Sequence, residues 1–115
     1  MSSNKLIVLH VDLAEDESII NQYISYHADV WPEVTSDLKD RPIKRMRIYN
    51  LQNKLAMLLE VSENFSLDDG IHIQPLTPKV AEWSKLMATF NKKLPSGEHD
   101  AWTPMAQVYD TEDYF

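Results

Sequence analysis

The spacing of apolar residues changes period several times along the chain, and each change marks an element. Residues 5–12 (KLIVLHVD) form a run of branched apolar side chains, the pattern of a buried strand. Glu15, Asp16 and Glu17 follow, acids where a helix N-terminus favours negative charge. Ile19, Ile20, Tyr23, Ile24 and His27 then recur at helical spacing and share one face. The helix stops before Pro32, because the residue ahead of a proline avoids the α region. A short helical piece covers 33–39. Residues 43–50 read as a strand with mixed faces, and 54–61 as its hairpin partner, with Leu55, Met57, Leu59 and Val61 alternating along one face. The stretch 64–77 is polar and irregular, with a turn at Asp68-Asp69-Gly70. Thr77-Pro78 has the form of an N-cap with proline in the first helical position. Val80, Trp83, Leu86, Met87 and Phe90 carry the helix that follows, and Leu94-Pro95-Ser96-Gly97 breaks the period. Residues 105–110 (MAQVYD) read as a final strand, followed by an acidic, aromatic tail.

The order strand, helix, strand, strand, helix, strand is that of an α+β ferredoxin-like βαββαβ fold, with helices on one face of an antiparallel sheet. The other face is left bare, so it either binds a ligand or pairs with a second sheet.

The chain has 115 residues, which fits one domain over 1–115 and a core that gains from pairing with a second copy. Its net charge of −7 argues against nucleic acid or an anionic membrane as partner, since both reward excess Lys and Arg. With no cysteine there is no disulfide, thiolate nucleophile or thiolate metal site. The first apolar run is too short to span a bilayer and no cleavage motif follows it, so the cytoplasm is the default compartment.

His10, His27, His72 and His99 form no HxH, HxxxH or HExxH pair, so no metal site is expected. Two glycines give no phosphate-cradling loop, and the serines lack a nucleophile elbow. The informative segment is 23–33. Tyr23 and His27 lie four residues apart, which stacks a phenol and an imidazole on one helix face. A histidine there either exchanges protons with a substrate or ends the apolar stripe with a bond to a backbone carbonyl. Trp83 is either core or a platform for the apolar face of a sugar. Tyr49, Trp102 and Tyr109 carry the same alternatives. Arg45, Arg47 and Tyr49 share a strand face, which suits a solvated edge.

The string Y-x-x-x-H-x-x-x-W-P-E, from Tyr23 to Glu33, resembles the L-rhamnose mutarotase family. So do Ile48-Tyr49 at a strand end, the Leu-rich strand closing on Glu60-Val61, and the segment from Glu82 to Met87. The resemblance runs from about Leu6 to Tyr109. It implies a dimeric α/β barrel, formed as a homodimer through the sheet face, that interconverts the α and β anomers of a free 6-deoxy-hexose without a cofactor. It further implies His27 as proton donor, with Tyr23 and Trp83 as sugar contacts. Met46 stands where the family pattern has a sugar-contacting tyrosine, and Ser84 where it has a second tryptophan; the stretch 64–77 is longer than in that pattern. A changed sugar-reading shell alters specificity, so L-fucose stands beside L-rhamnose as substrate. Water, Tyr49 or a residue of a second subunit could serve as base. Two other readings carry distinct expectations: a cofactor-free monooxygenase on the same barrel needs apolar walls around His27, and a non-catalytic sugar-binding module binds without rate enhancement.

Overall fold

The computed structural model describes residues 4–115. Strand β1 (Asn4–Asp12) leads to helix α1 (Glu17–Ala28), and helix α2 (Pro32–Asp40) precedes the hairpin of β2 (Arg45–Leu51) and β3 (Lys54–Ser62). Helix α3 (Pro78–Thr89) and a two-residue strand, β4 (Thr103–Pro104), complete the pattern. The sheet order is β2-β3-β1-β4 and every pairing is antiparallel. This is the split βαβ arrangement expected of a ferredoxin-like fold.

Local chemistry explains where the elements begin. Asp16 caps α1, its Oδ1 accepting from the Ser18 and Ile19 backbone N–H groups at 2.9 and 3.4 Å. A side-chain cap of this kind satisfies donors that a helix cannot pair itself. Asp16→Ala is expected to lower stability by about 0.5–2 kcal/mol, measured by urea unfolding, with the cavity described below unaltered. Pro32 and Pro78 start α2 and α3, where a missing N–H costs nothing. The hairpin turns through Gln52 at φ 55°, braced by the Asn50 side chain, which donates to the carbonyls of Gln52 and Lys54.

Alternation divides the sheet into two chemically different faces. Leu9, Val11, Leu55, Met57, Leu59 and Val61 point toward the helices and are buried. Leu6, Tyr49 and Leu51 point the other way and are 53%, 54% and 71% exposed. The arginines of β2 lie on this open side at the sheet edge, and Arg47 pairs with Glu60 at 3.7 Å. On α1, Ile24 turns outward and is 45% exposed, so the covered stripe is narrower than helical spacing suggests.

The last strand differs from the expectation of one over 105–110. Thr103 and Pro104 pair with His10 and Leu9, and the Met105 N–H still donates to the Val8 carbonyl at 2.7 Å. Beyond that point the chain leaves the sheet, and Val108 is 93% exposed. Among the described residues no strand pairs with 106–110. Pro104 has no N–H to give and is tolerated because β4 is an edge strand.

Two groups of buried side chains hold the layers together. Val11, Leu13, Tyr23, Leu55 and Phe90 join α1 and α3 to one part of the sheet. Leu9, Met57, Leu59, Val61 and Phe65 join the 64–77 segment to another. Ile48 and Trp102 pack against both groups, and both line a cavity that also touches Leu9, Met57 and Tyr23. Among the described residues no helix is long and apolar enough to cross a membrane.

Candidate active site

A cavity of about 730 Å³ opens between the inner sheet face and the helices. Leu9, Met46, Ile48 and Met57 form its floor from the strands. Tyr23 and His27 enter from α1, Trp83 and Ser84 from α3, and Trp102 from the approach to β4. Val34 and Leu38 of α2, with Leu67, Gly70, Ile71 and His72, add a further wall. A largely apolar pocket with a few convergent polar groups is the usual form of a small-molecule site.

The i, i+4 spacing on α1 stacks Tyr23 on His27, with ring centroids 4.2 Å apart and planes 25° apart. Trp83 meets the imidazole edge-on at 5.4 Å. Tyr26 and Trp31 approach the same indole at 6.2 and 5.2 Å, so it is held on several sides.

The His27 ring has one defined tautomer when neutral. Its Nδ1 lies 2.9 Å from the Tyr23 carbonyl oxygen, which can only accept, so Nδ1 carries the hydrogen. Nε2 is then the atom free to exchange a proton. Burial pushes the His27 imidazole below its ordinary value, partly offset by that backbone bond. Of the two alternatives raised by the sequence, the backbone-carbonyl bond is present and orients the ring, and it leaves the second nitrogen unbonded among the described residues. Burial also pushes the Tyr23 phenol well above its usual range, so it stays protonated as a hydroxyl.

Six of the residues singled out from the sequence thus line one cavity: Tyr23, His27, Met46, Trp83, Ser84 and Trp102. Tyr49 does not join them. It alternates to the opposite face of β2 and is half exposed there. Trp102 lines the cavity, whereas Tyr109 stacks on Tyr114 outside it.

The cavity also holds groups that spacing did not reveal. His72 donates from Nδ1 to the Asp37 carboxylate Oδ2 across 2.7 Å, a pair separated by thirty-five residues in sequence. His99 and Asp100 line the rim. Asp100 fastens its loop to β1 by accepting the Asp12 N–H. No periodicity links α2 to the 64–77 stretch; the extra length of that stretch is the only sequence signal. Among the described residues no cluster of three or more His, Cys, Asp or Glu side chains is placed to hold a metal.

Fold and cavity together define a ferredoxin-like protein with a histidine and aromatic side chains in a pocket between sheet and helices. Residues 7–111 match the L-rhamnose mutarotase family, and the chain belongs to that family. A relative from Dictyostelium discoideum, called a UPF0734 protein, is 38% identical over 109 residues, covering 89% of this chain and 86% of its own. An L-fucose mutarotase of Xanthomonas campestris pv. campestris is 30% identical over 112 residues, covering 95% and 89%. The solved structure of an L-rhamnose mutarotase from Formosa agariphila superposes with a TM-score of 0.65 at 20% identity, over 92% of this chain and 97% of that one, which shows the shared fold.

Proposed function

We propose that this protein interconverts the α and β anomers of a 6-deoxy-hexose, L-fucose or L-rhamnose, by general acid–base catalysis. The observation that carries the reading is the His27 imidazole, stacked on Tyr23 and edged by Trp83, with Nε2 left unbonded at the cavity between sheet and helices. Anomer exchange passes through the open-chain aldehyde. A proton leaves the anomeric hydroxyl, another reaches the ring oxygen, and the C1–O5 bond breaks. Rotation about C1–C2 and closure on the other carbonyl face reverse both transfers. Neither a redox step nor a cofactor enters this scheme.

His27 is the group assigned to proton transfer. In its neutral form Nε2 accepts the proton of the anomeric hydroxyl, and the imidazolium returns it when the ring closes. It is thus acceptor in the opening step and donor in the closing one. Trp83 offers an apolar face to the sugar's C–H groups. Tyr23 remains a hydroxyl donor because burial disfavours its ionised form. Met46 and Ser84 complete the sugar contacts.

The open sheet face supports a homodimer. Leu6, Tyr49 and Leu51 leave an apolar patch there that a second copy covers in a dimeric α/β barrel. In that arrangement Tyr49 belongs to the subunit interface and not to the sugar cavity. A cysteine-free chain acting on a free monosaccharide fits the cytoplasm.

Polarimetry of freshly dissolved crystalline sugars tests the reading: catalytic amounts of protein speed the drift to equilibrium rotation for one 6-deoxy-hexose. Binding of such a sugar without acceleration would favour the non-catalytic module. Met46→Tyr places a hydroxyl on the cavity floor, and its expected effect is a shift of kcat/KM toward L-rhamnose relative to L-fucose by about 10-fold, the value of one well-made polar contact. An unchanged ranking of the two sugars would remove Met46 from the specificity shell.

A further inference from the structure

Anomer exchange handles two oxygens at once, and His27 accounts for one of them. We propose that His72, held by Asp37, is the second proton-transfer residue of this cavity and acts on the hemiacetal oxygen that His27 does not serve. The proposal deepens the mutarotase reading and rests on it.

The other titratable groups at the cavity are exposed, bonded elsewhere or held in one protonation state. Tyr23 keeps its proton and cannot act as a base. Asp100 accepts the Asp12 N–H at one oxygen and the Ala101 N–H at the other. His99 is exposed and its Nδ1 is bonded to the Asn91 carbonyl. Asp68 is exposed on the turn at Leu67–Asp69. His72 differs from all of these. Its side chain is 18% exposed, against 7% for that of Asp37.

The Asp37 contact fixes how His72 can work. With Nδ1–H donated to the carboxylate at 2.7 Å, the exchanging atom is Nε2, which has no partner among the described residues. A carboxylate behind an imidazole selects the tautomer and stabilises the imidazolium once it forms. Asp37 is thus a positioning residue.

The segment that carries His72 is secured for this purpose from α2 and the residue after it. Asp37 also accepts the Ile73 N–H at 3.4 Å. Four residues on, the Arg41 guanidinium donates to the carbonyls of Ser66 and Gly70 at 3.0 and 3.3 Å and lies 4.3 Å over the Phe65 ring. Asp37 and the C-capping Arg41 thus hold the segment at Ser66, Gly70, His72 and Ile73.

The step balances in protons. In opening, the neutral imidazole takes the proton of the anomeric hydroxyl while the imidazolium gives one to the ring oxygen, and the C1–O5 bonding pair moves onto that oxygen. Closure on the opposite face restores both. Activity therefore needs one histidine charged and the other neutral, which produces a bell-shaped pH profile.

The test measures anomer exchange from pH 5 to 9 in the intact chain, its His72→Ala and Asp37→Asn variants, and an Asp37→Asn/His72→Gln double variant that keeps an amide pair in place of the imidazole–carboxylate pair. The expected result for His72→Ala is a fall in kcat of roughly 10²–10⁴-fold, little change in KM, loss of one limb of the profile, and partial rescue by added imidazole. Asp37→Asn lowers kcat and displaces the same limb, and the folded double variant matches His72→Ala without imidazole. Wild-type acceleration with kcat and both limbs unchanged in His72→Ala or in the double variant overturns the role of His72 and leaves the mutarotase reading standing. A fall in kcat that imidazole does not relieve and that spares both limbs also overturns it, as a structural effect. Absence of wild-type acceleration for any 6-deoxy-hexose overturns the mutarotase reading itself and this proposal with it.

Discussion

His27→Ala is expected to cut catalysed anomer exchange by about 10²–10⁴-fold, the range that one positioned proton-transfer group contributes, while leaving a folded protein. The reason is local. Among the described residues the imidazole bonds only the carbonyl of Tyr23 on its own helix, so its removal orphans no distant partner there. Polarimetry read beside circular dichroism separates loss of chemistry from loss of fold; full activity in the folded variant would remove His27 from the mechanism. The same residue shapes the response to acid. Burial holds the folded-state imidazole below its ordinary value of 6.5, so the unfolded chain binds the proton more readily. Above that value both states are neutral and stability is unaffected. As pH falls from there toward the lowered folded-state value, stability is lost. His27→Gln is expected to flatten this slope in urea midpoints taken between pH 5 and 7.

Trp83→Ala is the substitution with the largest combined effect. The indole is 5% exposed and contacts Tyr26, His27 and Trp31. Truncating a buried aromatic side chain typically costs about 3–5 kcal/mol, and here it also removes the neighbour that fixes the edge of the His27 ring. Thermal unfolding is expected to show a large drop in midpoint, and sugar titration a raised KM. Trp83→Phe keeps a ring at the site and separates the two effects: stability largely returns, whereas the loss of the wider face and the N–H still weakens sugar binding. A Trp83→Ala variant as stable as the parent would contradict the packing described for α3.

Much of this could be read from the chain because the relevant signals are local. The alternation of Leu55, Met57, Leu59 and Val61 defines β3, and Thr77-Pro78 marks the start of α3. The four-residue step from Tyr23 to His27 stacks the two rings, a distance a helix dictates. What stayed hidden depends on tertiary placement. The residues of 105–110 alternate like a strand, yet β1 offers its edge only to Thr103, Pro104 and the Met105 N–H. Tyr49 has the right chemistry for a sugar contact, but its parity on β2 turns it from the cavity that Met46 and Ile48 face. His72 and Asp37 meet only after the 64–77 segment folds over α2, so no spacing rule connects them.

The central claim is catalysis of anomer exchange, and saturation-transfer NMR of the anomeric protons tests it most directly. Purified protein at catalytic concentration is added in turn to L-fucose, L-rhamnose and a set of common D-sugars at equilibrium. The account predicts faster exchange for a 6-deoxy-hexose, returning to the uncatalysed rate with His27→Ala. Uncatalysed rates for every sugar would contradict it.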